Sequence, residues 1–169
     1  MNLGTVYHKK GHLEKALEHF DLAAKLGPAN HSPHYNRAIA LSDLGQHENA
    51  DKAFARALEL KPGAPHYLTE KGVNLNAAGQ WEKAQSTLYE SLRINPGLPL
   101  TWYNLGIAIK KRGFAPREVS DTFGIETPLE AFAKAVSLPG ANAINWERYC
   151  LELTEEGRCA EAQAALLKA

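Results

Sequence analysis

All seven histidines lie before residue 67, and the pairs His31 with His34 and His8 with His12 stand at separations that suit two ligands of a metal ion. Pro33 and Gly11 interrupt the helices that would align them, and no cysteine or carboxylate cluster completes either set, so no metal is expected. Cys150 and Cys159 lack C-x-x-C spacing and an evident histidine base, and read as packed thiols. No P-loop, no glycine-flanked nucleophilic serine and no His-Glu-x-x-His is present, so neither catalysis nor a cofactor is expected. What recurs instead is asparagine. Asn2, Asn36 and Asn104 fall 34 or 68 residues apart, and Tyr35 and Tyr103 each precede one of them. An amide offers a donor and an acceptor together, so a row of amides can hold the backbone of an extended peptide whatever its side chains. Tyrosines beside the row add rigid contact area. The chemistry these residues can do is recognition.

The elements that must position such a row are set by the same interval. Gly11, Gly45, Gly79 and Gly113 are each 34 residues apart, Gly4, Ala38, Gly72 and Gly106 keep that step, and so do Ala16, Ala50 and Ala84. Phe20, Phe54 and Leu88 follow it, and Pro28, Pro62 and Pro96 close each unit. A fixed period in this range is the signature of a solenoid of helical hairpins. Within one unit, Ala38, Leu41 and Leu44 mark the apolar face of a first helix that Gly45 stops. Ala50, Ala53, Phe54, Ala57 and Leu58 form the stripe of a second helix ended by Pro62. Small residues let two backbones approach while the aromatic rings fill the space beside them.

The run Leu3, Gly4, Tyr7, Gly11, Ala16, Phe20, Ala23, Pro28 resembles the pattern of the tetratricopeptide repeat family. Trp102, Leu105, Gly106 and Gly113 open a fourth unit in the same way, and Trp146 opens a fifth. The resemblance covers nearly the whole chain. It implies an all-α fold, a right-handed α-solenoid of about five helix-turn-helix repeats, with boundaries near 1–30, 31–64, 65–98, 99–141 and 142–169 in one elongated domain. By resemblance, the first helices line a concave groove occupied by Asn2, by Tyr35, Asn36 and Ile39, and by Glu70 and Val73. The groove continues with Tyr103, Asn104 and Ile107, then Arg148 and Leu151. A similar asparagine ladder occurs in the repeats attached to a protein-modifying glycosyltransferase; here Glu70 and Arg148 break it. A second family mode holds the C-terminal carboxylates of chaperones in a basic clamp. Asn36 and Arg37 match part of it, but the acidic Glu70 would repel the group to be bound.

The period fails once. Gly113 and Gly157 are 44 residues apart, ten more than the repeat, while Pro128 and Ala162 return to 34. An insertion therefore lies near 114–127 in the fourth unit, and Thr127-Pro128-Leu129-Glu130 reads as a helix start with a capping box. Its Phe114, Phe123 and Ile125 either pack on the scaffold or contact a partner, and loop-closure entropy does not choose between the two.

The chain has 169 residues with 44% apolar content, and nineteen basic residues balance nineteen acidic ones. No positive field favours a phosphate backbone, so nucleic acid is excluded as a partner. No run approaches the roughly 18 to 20 apolar residues of a membrane span, so no membrane insertion is expected. Two cysteines fit a reducing compartment, and the cytoplasm is the expected location. The expected partner is a protein or peptide. Both ends look cut, and Leu166 and Leu167 would be left partly wet, an uncapped C-terminal face suited to self-association or to more chain. The alternative is that the chain is the recruiting arm of a larger enzyme, of glycosyltransferase, sulfotransferase or oxygenase type.

Overall fold

The computed structural model describes residues 3–168, so Asn2 of the expected groove and Ala169 of the last helix lie outside the described residues. Eleven α-helices and no strand occur among them. The chain forms two compact units, Met1–Gly79 and Gln80–Ala169. The first contains α1 (Leu3–Lys9), α2 (Leu13–Leu26), α3 (His31–Asp43), α4 (His47–Leu60) and α5 (Pro65–Ala77). The second contains α6 (Trp81–Ile94), α7 (Pro99–Arg112), α8 (Arg117–Phe123), α9 (Pro128–Ser137), α10 (Ala143–Glu155) and α11 (Cys159–Leu166). This all-helical order of paired helices is that of an α-solenoid.

Local chemistry accounts for the hairpins. The glycines of the 34-residue series sit in the turns with positive φ, +73° at Gly45 and +92° at Gly113, and a Cβ at either would meet nothing within 4 Å. Backbone conformation, not crowding, selects glycine there. Inside the helices the reason is the opposite. A Cβ on Gly4 would lie 2.6 Å from the Phe20 ring, and a Cβ on Gly106 would lie 2.6 Å from the Phe132 ring. Each unit thus closes a helix pair by seating an aromatic ring on a bare backbone. Ala16, Ala50 and Ala84 are wholly buried beside Phe20, Phe54 and Leu88, the core residues their spacing marks.

In the first unit each helix packs on the next along the chain, while in the second α7 packs on α9 past the short α8. Beyond its hairpin partner, α3 also touches α5, and α7 also touches α10. Within each unit these two first helices therefore lie side by side, which is what gives a recognition face its width. The capping box at Thr127 forms as expected: Thr127 accepts from the Glu130 N–H, and the Glu130 carboxylate accepts from the Thr127 and Glu126 N–H groups. The second helix of the fourth hairpin is short, ten residues in α9 against fourteen in α4 and α6.

The insertion packs on the scaffold. Pro116 precedes α8, whose Val119 is fully buried, and Phe123 packs edge-on against Trp102 with centroids 5.1 Å apart and against Tyr89 at 6.0 Å. The Tyr89 and Thr122 hydroxyls are 3.0 Å apart, and Gln85 donates to the Phe114 carbonyl at 2.8 Å. Of the three insertion residues named as contacts, Ile125 is buried and Phe123 is held between rings, which leaves Phe114 alone open to solvent, 53% exposed.

Candidate functional site

The face built by α3 and α5 begins with Tyr35. Its ring stacks on Tyr67, with centroids 4.0 Å apart and planes 12° off parallel, and meets Phe54 edge-on. His31 fixes Tyr67 from behind, its Nδ1 lying 2.8 Å from the Tyr67 hydroxyl. Burial, with the Glu70 carboxylate beside it, pushes the Tyr35 hydroxyl up to about 12, so it stays a neutral hydroxyl at physiological pH. One turn on, Asn36 and Ile39 are half-buried, and Asn36 forms no side-chain hydrogen bond among the described residues.

From α5, Glu70 and Val73 are half-buried on the same face. Burial raises the Glu70 pKa, the Asp43 carboxylate raises it further, and His66 works the other way. Asp43 itself is held by His8, whose Nε2 lies 2.7 Å from its carboxylate. Lys71 pairs with Asp51 at 3.3 Å. The face of the first unit is therefore aromatic and apolar in the middle, with a desolvated carboxylate that has no cationic partner in contact among the described residues.

The face built by α7 and α10 has the same spacing and a different chemistry. Tyr103 and Ile107 are half-buried, and the Tyr103 ring lies 5.9 Å from Phe132. Arg148 lays its guanidinium 5.3 Å from the centre of that same Phe132 ring. Glu152, only 7% exposed, ties the face together: it accepts from Lys110 Nζ at 2.7 Å and from Arg148 Nη2 at 3.4 Å. Lys110 also bonds Glu155. Burial presses the Lys110 ammonium down, but the bonds to Glu152 and Glu155 outweigh it and hold its pKa above the ordinary value. A pocket of about 310 Å³ opens here, lined by Tyr103, Ile107, Lys110, Lys111, Arg148 and Glu155. Leu151, 46% exposed, stands on the same helix as Arg148.

Asn104 differs from its counterpart. It is buried, and its amide donates to the Leu100 carbonyl one turn back at 2.9 Å, so its donor is turned into its own helix. The residues at hand on this face are Tyr103, Ile107 and the cations. Spacing had pointed past Lys110, Lys111, Glu155, Asp43 and Tyr67. The signal for three of them was present: Asp43, Lys111 and Glu155 stand at one place in their hairpins, 68 and 44 residues apart.

The histidine pairs are apart in role. His31 holds Tyr67, while burial, then Arg56 and Arg37, lowers the His34 pKa. Among the described residues no three His, Cys, Asp or Glu side chains group so as to hold a metal ion. Cys150 is buried and Cys159 exposed, both free thiols, and burial raises the Cys150 pKa. No described helix is long and apolar enough to cross a membrane.

Comparison with known proteins bears on the family and the fold. Family models described as tetratricopeptide repeat match residues 1–30 and 32–64. Protein MJ0572 of Methanocaldococcus jannaschii is 38% identical over 63 residues, which are 37% of this chain and 73% of that one. Among solved structures, MamA from Desulfovibrio magneticus RS-1 is 22% identical with a TM-score of 0.75, covering 99% of this chain and 89% of its own. PilF of Pseudomonas aeruginosa is 19% identical with a TM-score of 0.81, covering 96% of this chain and 70% of its own. A repeat protein from Parabacteroides merdae is 23% identical with a TM-score of 0.74, covering 99% and 61%. At these identities the structural likeness is a likeness of fold.

Proposed function

The chain belongs to the tetratricopeptide repeat family, and from that premise we propose that it is a non-catalytic interaction module whose first-helix faces hold a segment of a partner protein. The observation that carries this reading is the pocket beside Tyr103. Its volume, about 310 Å³, is at the bottom of the range for ligand pockets and suits one or two side chains of a peptide. Its lining combines a tyrosine and an isoleucine for burial with cations held in place by Glu152, the arrangement of an anchor ringed by polar contacts.

On the first unit, Tyr35, Asn36, Ile39, Glu70 and Val73 play the corresponding part. Asn36 supplies the backbone contact, and Glu70, desolvated and beside Asp43, gains from a basic side chain of the partner. On the second, Tyr103, Ile107, Arg148 and Leu151 are the contacts, with Lys111 as the accessible cation.

The test is capture of partners from the source lysate by the intact chain and by a Tyr103→Ala/Lys111→Ala variant. Both residues are accessible and neither is a core residue, so helicity should be unchanged. Loss of the captured protein at unchanged circular dichroism supports the reading. Equal capture removes this face from the account.

A further inference from the structure

A second cleft lies away from that face, between α9, α10 and α11. It measures about 380 Å³ and is lined by Val136, Ser137, Trp146, Tyr149, Glu161, Ala164, Ala165 and Lys168. Trp146 is half-buried in it, packed edge-on near Tyr149 at 6.3 Å, and its indole N–H makes no hydrogen bond among the described residues. Its ring is only partly covered.

The molecule itself holds the filled version of this site. Trp146 stands 44 residues after Trp102, at the same place in its hairpin. Trp102 is 1% exposed, and its indole N–H donates to the Pro96 carbonyl at 2.7 Å. What meets the Trp102 ring is Phe123, delivered edge-on at 5.1 Å by the short helix α8 with Val119 one turn earlier. The fifth hairpin carries the tryptophan and has no such insertion. Its second helix presents Ala164 and Ala165 where a ring needs room.

Charge at the rim narrows the occupant. Both Glu161 oxygens accept from Arg158, at 2.7 and 2.8 Å, so this carboxylate is compensated. Lys168, on the same rim, forms no ion pair among the described residues. The cleft therefore offers an incoming chain a cation, Lys168, with no ion pair among the described residues, beside an apolar floor. A segment with a carboxylate near its aromatic residue is favoured; in α8 Asp121 pairs with Arg117 at 3.4 Å, and Glu118 is the carboxylate with no ion pair among the described residues.

We propose that this cleft is a docking socket for a single phenylalanine or similar ring, carried on a short acidic amphipathic helix of a partner protein and seated on Trp146 as Phe123 is seated on Trp102. The contact is edge-to-face, with the ring between Trp146 and the alanine wall and the partner's carboxylate toward Lys168. It is independent of the first-helix faces, since none of its lining residues belongs to them.

The experiment uses the full chain labelled with ¹⁵N and, as probe, a peptide with the sequence of residues 115–126. The Trp146 indole signal should shift saturably with the peptide. The same peptide carrying Phe123→Ala should bind roughly tenfold more weakly, the size of losing one anchor residue. In the protein, Ala164→Phe should fill the socket and abolish the shift, and Lys168→Glu should weaken binding several-fold. The Trp102 indole signal, fixed by its own hydrogen bond, reports whether a variant still folds. A Trp146 signal unmoved by the peptide overturns the proposal. So does equal binding by the Phe123→Ala peptide, or a shift that follows protein concentration without peptide, which would make a second copy the occupant.

Discussion

The fourth and fifth hairpins begin on the same residue and end in opposite conditions. Trp102 is sealed by α8, with its N–H bonded to Pro96; Trp146 faces an open cleft, and its N–H has no hydrogen bond among the described residues. The lesson is that position in a repeat decides where a side chain points, while burial depends on what other chain is brought over it. An insertion that looks dispensable in length is therefore structural in the fourth hairpin. Its absence leaves a recognition surface in the fifth.

The widest separation between the two should come from removing the tryptophans. Trp102→Ala should cost about 4 kcal/mol in denaturant unfolding, as expected for a fully buried aromatic ring. Trp146→Ala should cost less, about 2 kcal/mol, because its ring is only partly buried. Equal costs would break the comparison.

Next comes the lid itself. Phe123→Ala should destabilise by about 2 kcal/mol, less than a wholly buried phenylalanine because the ring is only half-buried. It should also open Trp102 to an aqueous quencher. Deleting residues 115–124 should lower the melting temperature for the same reason; an unchanged melting temperature would return the insertion to the status of a loose loop.

Glu152 tests what joins the two hairpins, since it bonds Lys110 of α7 and Arg148 of α10. Breaking a fully buried pair costs roughly 3 to 5 kcal/mol, but Lys110 and Arg148 are about a quarter exposed, so Glu152→Gln should cost about 1 to 2 kcal/mol. The loss should shrink little in salt, unlike that of a surface pair.

The smallest contrast is at the second helices. The box at Thr127 and Glu130 caps α9, while α11 starts at Arg158 with no side-chain cap. Thr127→Ala should cost about 1 kcal/mol, and Arg158→Ala should cost α11 nothing in capping. Backbone hydrogen bonds from Glu126 and Thr127 hold the Glu130 pKa below its ordinary value of 4.5. A depressed carboxylate stabilises the fold above the unfolded value, and that stability is lost as pH falls through the folded one. The deficit of a Glu130→Ala variant relative to the natural chain should therefore be constant near neutrality and shrink below pH 4.5. A deficit that grew in acid would contradict the capping role.

Much of this was legible before any coordinates. The 34-residue interval located the left-handed glycines, the alanine and phenylalanine core and, through its one failure, the insertion and the cap that ends it. Those features depend on residues within one hairpin, where local rules hold. What the interval could not carry was contact over distance. Asn36 and Asn104 share a phase, yet one is half-buried with no side-chain hydrogen bond among the described residues and the other is buried and bonded to Leu100. Lys110 and Glu152 are 42 residues apart and become partners because α10 lies beside α7. Whether Phe123 faced a partner or Trp102 was undetermined, because closing a longer loop costs too little entropy to exclude either.

The central claim is that partners lie on the first-helix faces, and the most direct measurement of it is amide chemical-shift mapping of the full chain with a captured partner segment. The account predicts shifts gathered at Tyr35 to Ile39, Glu70 to Val73, Tyr103 to Lys111 and Arg148 to Leu151. First-helix residues that stay still while α2, α4 and α6 respond would contradict it.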